Sequence, residues 1–259
     1  MPLIDPLTQL AIAMTSKPGL YALMLGSGLS RSAGIPTGYE ITLELSRRLA
    51  VALGERPDDP AVWYATRYGR PPEYSALLED LTHVPEERQA ILRGFFEPND
   101  DERSAGLKVP SPAHIAIAKL IKAGLVRVVI TTNFDRLLEQ AMVEIGIQPN
   151  VLATDAAIAG SEPLIHVPHA IVKVNGDYLD SHIRNTVAEL EAYPESTSTL
   201  LRTIFSDFGL AICGWSGDWD HALRAALDVI APKVVHTRPA PKGLVSDAKP
   251  LGAASCEHP

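Results

Sequence analysis

Four apolar runs punctuate the chain, and each ends in a cluster of small or polar residues. Leu20 to Leu25 (LYALML) stops at GSGLSRSAGIPTG, after which Ile41, Leu45 and Leu49 share one helical face, with Glu40, Glu44, Arg47 and Arg48 off it. Leu125 to Thr131 (LVRVVIT) stops at TNFD, and Leu137, Leu138, Ala141, Met142 and Ile145 then repeat at helical spacing. The apolar stretch from Ala170 to Val174 breaks at Asn175-Gly176-Asp177. Leu210 to Cys213 (LAIC) stops at GWSGDWD, and Ala222, Leu223, Ala226, Leu227 and Ile230 continue as a helix. Short apolar strands alternating with helices predict an α/β fold, a Rossmann-like parallel sheet covered by helices on both faces. In such sheets the ligand crevice lies at the carboxyl ends of the strands, so all four polar clusters are expected on one edge.

Between the first two units, about Arg56 to Pro110, several prolines and a helical stretch from Glu73 to Phe96 predict a small helical insertion that walls the cleft. Ser111-Pro112 has the form of an N-cap followed by proline at the first helical position, opening a helix through Ala123. After Lys233 the periodicity fails. The predicted organisation is one domain over residues 1–231, with its insertion at about 56–110, and a tail over 232–259 that is disordered or truncated.

Composition narrows the function classes. The chain has 259 residues, 46% hydrophobic and 21% charged, as expected of a globular protein with a full core. No stretch approaches the roughly 20 unbroken apolar residues of a membrane span. The amino terminus MPLIDPLTQL carries Asp5 and lacks the basic start of an export signal, so a cytoplasmic location is expected. Cys213 and Cys256 are too few for a disulfide framework or a four-thiolate zinc site, and no zinc is expected. A net charge of −8 argues against direct binding of nucleic acid.

The candidate chemistry sits in the four clusters. Gly26-Ser27-Gly28 opens a dinucleotide fingerprint, but the third glycine is Gly34 and the G-x-G-x-x-G spacing is not met. The cluster is read either as a tight strand-to-helix turn or as a loop whose exposed amides favour an anion. In Thr132-Asn133-Phe134-Asp135, Asp135 can cap a helix starting at Arg136, whereas Asn133 has no such duty and can hold a sugar hydroxyl or a water. Asn175-Gly176-Asp177 alone is either a hairpin-type turn or a pocket rim, and the other three clusters, expected on the same sheet edge as Asn175, favour the rim. Trp215 and Trp219 can tether the last loop to its helix or pack on a purine, and Lys173 and Lys233 are expected in solvent. His166 and His169 read as loop or strand-edge residues, and His114 and His221 as surface or packing residues.

Taken in order, GSGLSRSAGIPTG, TTNFD, VNGDYLD and CGWSGDWD resemble the four motifs of sirtuin-like domains, over about residues 18 to 231. NGDYLDSHIRNTVAEL and CGWSGDWDHALRAAL resemble more closely the bacterial defence branch that accompanies short prokaryotic Argonautes. The resemblance implies NAD as substrate. It implies Gly26, Ser27, Gly28 and Gly34 around the pyrophosphate with Ser30 at a small polar position, and Thr132, Asn133 and Asp135 around the nicotinamide ribose, water and carboxamide. It sets Gly214, Trp215 and Ser216 on the adenosine side and Asn175, followed by Gly176 and Asp177, where the family has its catalytic histidine, so that Asn133 and Asn175 are the catalytic positions. Two departures matter. The chain has no C-x-x-C pair and reads PTGYE where deacetylases have P-D-F-R, so deacetylation is not expected and NAD hydrolysis to nicotinamide and ADP-ribose is. An asparagine amide cannot act as a general base, a loss of about 10² to 10⁴ in rate where one is needed. The resemblance therefore implies an NAD hydrolase, an NAD-binding sensor, or a subunit active only with an Argonaute partner, and gating by homo-oligomeric assembly is common in that branch.

Overall fold

The computed structural model describes residues 4–82, 84–180, 184, 191–217 and 220–228. Five strands, β1 (Tyr21–Leu25), β2 (Val126–Thr131), β3 (Val151–Leu152), β4 (Ala170–Lys173) and β5 (Gly209–Cys213), form one sheet in the order β3-β4-β2-β1-β5. Every pairing is parallel, so all carboxyl ends share one edge. The fold is α/β, as the apolar runs predict.

Successive strand residues face opposite sides, and both sides are covered, which is why the strands read as unbroken apolar runs. Ala22, Met24, Val128, Ile130 and Val172 pack under α10 (Glu195–Asp207) and α11 (His221–Asp228) through Leu201, Phe205 and Leu223. Leu23, Leu25, Val129 and Ile171 pack on the other side under α7 (Pro112–Lys122) and α8 (Leu137–Glu144) through Ile117, Ile121, Ala141 and Met142. Helix α1 (Pro6–Ser16) adds Met14 to that side, and α9 (Asp155–Ala159) adds Ile158 to the first.

After β1 the chain enters α2 (Gly38–Ala52), whose Thr37 and Glu40 form a capping box. Its apolar face, Ile41, Leu45 and Leu49, joins α3 (Pro60–Tyr68), α4 (Tyr74–Leu81) and α5 (Pro85–Phe96) in a third core, and the short α6 (Asp100–Ser104) follows. The helix expected from Glu73 to Phe96 is therefore two helices. Thr82 and Val84 are both extended, Val84 as the residue before a proline tends to be, and Pro85 starts the second helix. Strand β3, only two residues long, is too short to leave a periodic signal. Tyr178, just beyond β4, is buried in the third core and hydrogen-bonds Glu97 at 2.9 Å, which fastens the helical region to the sheet edge. Ile230, Lys233 and the tail lie outside the described residues.

Candidate functional site at the carboxyl edge of the sheet

The loops after β1 and β5 meet backbone to backbone. Gly26 N–H donates to Cys213 O at 3.0 Å and Gly28 N–H to Gly214 O at 2.9 Å. A Cβ on Gly26 would lie 2.5 Å from Trp215 Cα, and one on Gly28 2.8 Å from Gly214 O. Gly214 itself has φ +69°, and a Cβ there would meet Leu29 N at 2.5 Å. Close approach of protein backbone thus accounts for these three glycines. The amides of Leu29 and Ser30 donate within the same turn, to Gly26 O and Ser27 O, so the open row of N–H donors expected from the glycine cluster is absent at residues 26 and 28 to 30. Gly34, at φ +76°, ends the 3₁₀ turn Arg31–Ala33. Ser27 and Ser216 are exposed at the rim, and Thr132 is half-buried with its N–H on Leu25 O.

Beneath these loops lies a buried polar chain. Asn133 N–H donates to Thr131 Oγ1 at 3.0 Å, and Asn133 Nδ2 donates to Ser30 Oγ at 3.2 Å. Ser30 Oγ also lies 3.3 Å from His114 Nε2, and His114 Nδ1 lies 2.8 Å from Ser111 Oγ. Because the Ser111 backbone N–H donates to His114 Nδ1, that nitrogen carries no proton, and the neutral ring offers Nε2–H to Ser30. Burial holds the His114 pKa below its ordinary 6.5, against an opposing pull from the Asp135 charge. Asn133 Oδ1 is buried without a hydrogen-bond partner among the described residues. Sequence reasoning missed His114, which it assigned to surface or packing; only the spacing of Ser111 and His114 within the helix start hinted at the pair.

The helix starts at Leu137, one residue later than expected, so Arg136 rather than Asp135 is its N-cap, and Asp135 Oδ1 accepts from Leu137 N–H at 3.1 Å from one position further out. Lys173, expected in solvent, is instead fully buried. Its Nζ donates to Phe134 O at 3.2 Å, Asp135 O at 2.6 Å, Glu139 Oε1 at 3.2 Å and Asp177 Oδ2 at 3.0 Å. The cation can be buried because two carboxylates and two carbonyls replace its hydration. Burial pushes the Glu139 carboxyl up, and the Lys173 charge opposes that rise. Arg136 Nε adds a longer contact to Asp177 at 3.6 Å.

Asn175 is equally well held. Its Nδ2 donates to Asp220 Oδ1 at 3.1 Å and its Oδ1 accepts from Tyr193 O–H at 3.2 Å, while Trp215 Nε1 donates to Asp220 Oδ2 at 2.8 Å. Gly176, at φ +93°, makes the turn, and Asp177 Oδ1 takes Leu179 N–H at 3.0 Å. The N-G-D segment is thus a turn whose first side chain is a buried anchor. Burial and then the Asp220 charge push the Tyr193 phenol well above its usual range. Trp215 tethers the last loop, and Trp219 lies outside the described residues. His166 and His169 precede β4 and so lie at the opposite edge of the sheet from Asn175, with His169 Nε2 3.0 Å from Gln148 O. His221 is exposed at the start of α11. Asp220 and Tyr193 went unnoticed in the sequence, although Asp220 closes the GWSGDWD cluster.

Residues 127–233 match the family model of the SIR2-like domain. That stretch runs from β2 through α11 and includes Asn133, Asn175, Gly214 and Asp220, but it is less than half of the chain. No curated protein matches the sequence. Among solved structures, a Sir2 variant with deacetylated p53 peptide and 3'-O-acetyl-ADP-ribose is 14% identical with a TM-score of 0.45, covering 89% of this chain and 84% of that one. A Sir2 enzyme from work on mechanism and regulation is 15% identical with a TM-score of 0.46, covering 91% and 87%. Among the described residues no group of three or more His, Cys, Asp and Glu side chains is arranged to hold a metal ion, and no helix is long and apolar enough to cross a membrane.

Proposed function

We propose that the chain binds NAD at the carboxyl edge of its sheet and hydrolyses it to nicotinamide and ADP-ribose. The observation that carries this reading is Asn133, a buried amide tied by Nδ2 to Ser30 while its Oδ1 has no partner among the described residues. A buried acceptor left open costs about 1–3 kcal/mol, and a bound ribose hydroxyl or water is the kind of donor that would satisfy it. Splitting the nicotinamide bond requires little of the protein beyond a held ribose, exclusion of bulk water and a placed nucleophile. On this reading residues 1–231 act as one NAD-binding domain, with the helical insertion of about 56–110 as one wall. Ser27, Gly28, Ser30, Gly34 and Thr132 line the ribose and pyrophosphate side, and Gly214, Trp215 and Ser216 the adenosine side. The likeness of the last two loops to the defence branch extends the proposal to cytoplasmic antiviral defence beside a short Argonaute, with assembly as a gate.

The test is chromatography of NAD incubated with the purified chain, alone and with an Argonaute partner carrying guide and target. Nicotinamide and ADP-ribose should accumulate in at least one setting and fall to background in Asn133→Ala. Absence of nicotinamide in both settings overturns the proposal. Saturable NAD binding without release would instead support a sensor, a second reading favoured by Asn175, whose amide is engaged at both ends and cannot take a proton.

A further inference from the structure

Asp220 differs from the other buried acids of this edge. Glu139 and Asp177 share Lys173, and Asp135 accepts from the first N–H of α8. Asp220 is 9% exposed, forms no ion pair among the described residues, and accepts from two neutral donors, Asn175 Nδ2 and Trp215 Nε1. Every hydrogen bond of the group points toward it: Tyr193 O–H donates to Asn175 Oδ1, and Asn175 Nδ2 donates to Asp220. An ionised carboxylate only accepts, so its presence fixes the orientation of the Asn175 amide. It has about four lone-pair sites, and two remain after these bonds. Its position is also informative. Strands β4 and β5 are separated in the sheet by β2 and β1, so the Asn175–Asp220 bond joins segments that follow two non-adjacent strands at the carboxyl edge. A carboxylate is therefore hydrogen-bonded by neutral groups, with accepting capacity left, at the carboxyl edge of the sheet; the cation beside the group is Arg184, whose N–H donates to Asn175 O and whose charge acts on the Tyr193 phenol.

We propose that Asp220 is the proton acceptor of this site, with Asn175, Trp215 and Tyr193 as positioning residues; this rests on the NAD-hydrolysis reading above. As the bond from C1′ to the nicotinamide nitrogen breaks, its electron pair neutralises the ring. Water forms the new bond to C1′, its proton passes to the Asp220 carboxylate, and the carboxyl then returns that proton to solvent. Asp220, not Asn175, thus supplies the base.

The test compares nicotinamide release and NAD binding in the wild type, Asp220→Asn and Trp215→Phe, in the assembly that is active. Asp220→Asn should lose about 10² to 10⁴ in kcat while the Kd for NAD changes little. Trp215→Phe removes one donor to the carboxylate and should move the acid limb of the kcat profile to higher pH, a shift that a purely structural role does not produce. If Asp220→Asn fails to fold by circular dichroism, the Trp215→Phe limb decides. An active wild type with an equally active Asp220→Asn, or an unmoved limb in Trp215→Phe, overturns the assignment and leaves NAD hydrolysis standing. A wild type that releases no nicotinamide in any assembly overturns both.

Discussion

Replacing Lys173 with Met should unfasten the buried charge cluster without creating a large cavity. The substitution removes an ammonium that contacts Glu139 at 3.2 Å, Asp177 at 3.0 Å and the carbonyls of Phe134 and Asp135. Removing one partner of a buried ion pair typically costs about 3–5 kcal/mol, because the remaining charge has nowhere to go. Here Arg136, 3.6 Å from Asp177, softens the loss for one carboxylate but not for Glu139. We expect about 4 kcal/mol, which for a domain of this size is a fall in Tm of about 8–16 °C. The loss should depend on pH. Glu139 already has a raised pKa, so it contributes stability below its ordinary 4.5 and loses that contribution as pH rises through its folded value. Without Lys173 that folded value moves higher still, and the penalty of the variant should shrink on going from about pH 8 to about pH 5. Urea unfolding followed by circular dichroism measures both. A loss below about 1 kcal/mol, as for an exposed pair, or one that ignores pH, would refute the argument.

Other outcomes follow from the same geometry. Gly28→Ala brings a Cβ to 2.8 Å from Gly214 O and should cost about 1–3 kcal/mol in thermal unfolding. His114, whose folded pKa burial holds below 6.5, contributes stability that is fully present above 6.5 and is lost as pH falls through the lower folded value; the wild-type and His114→Gln curves should differ most near neutral pH and converge in acid. Asn175→Ala strands the Tyr193 hydroxyl and should cost about 1–3 kcal/mol, whereas adding Tyr193→Phe should cost little more, a coupling that a double-mutant cycle reads directly.

Four of the five strands are legible because β1, β2, β4 and β5 are buried on both faces and so appear as unbroken apolar runs. Val151-Leu152 carries no comparable signal. The break between α4 and α5 was marked by Pro85, but the apolar spacing on either side stays in phase and masks it. Asn133 stood out because it had no local duty, and its bond to Ser30, 103 residues earlier, is of the kind the convergence of strand ends allows. Lys173 and Asp220 were opaque for one shared reason. A charge inside a sheet edge has meaning only through its partners, and Glu139 and Asn175 lie 34 and 45 residues away from them.

The contact between the loops after β1 and β5 limits what suppressor mutations could achieve. An intruding side chain in a core is usually relieved by trimming the residue it strikes. At Gly26 the obstacle is the Cα of Trp215, and at Gly28 the carbonyl of Gly214, atoms that every amino acid carries. No exchange at residue 214 or 215 can clear that space. Relief would require the two strand ends to separate, and the pairing of Leu25 with Cys213 resists it.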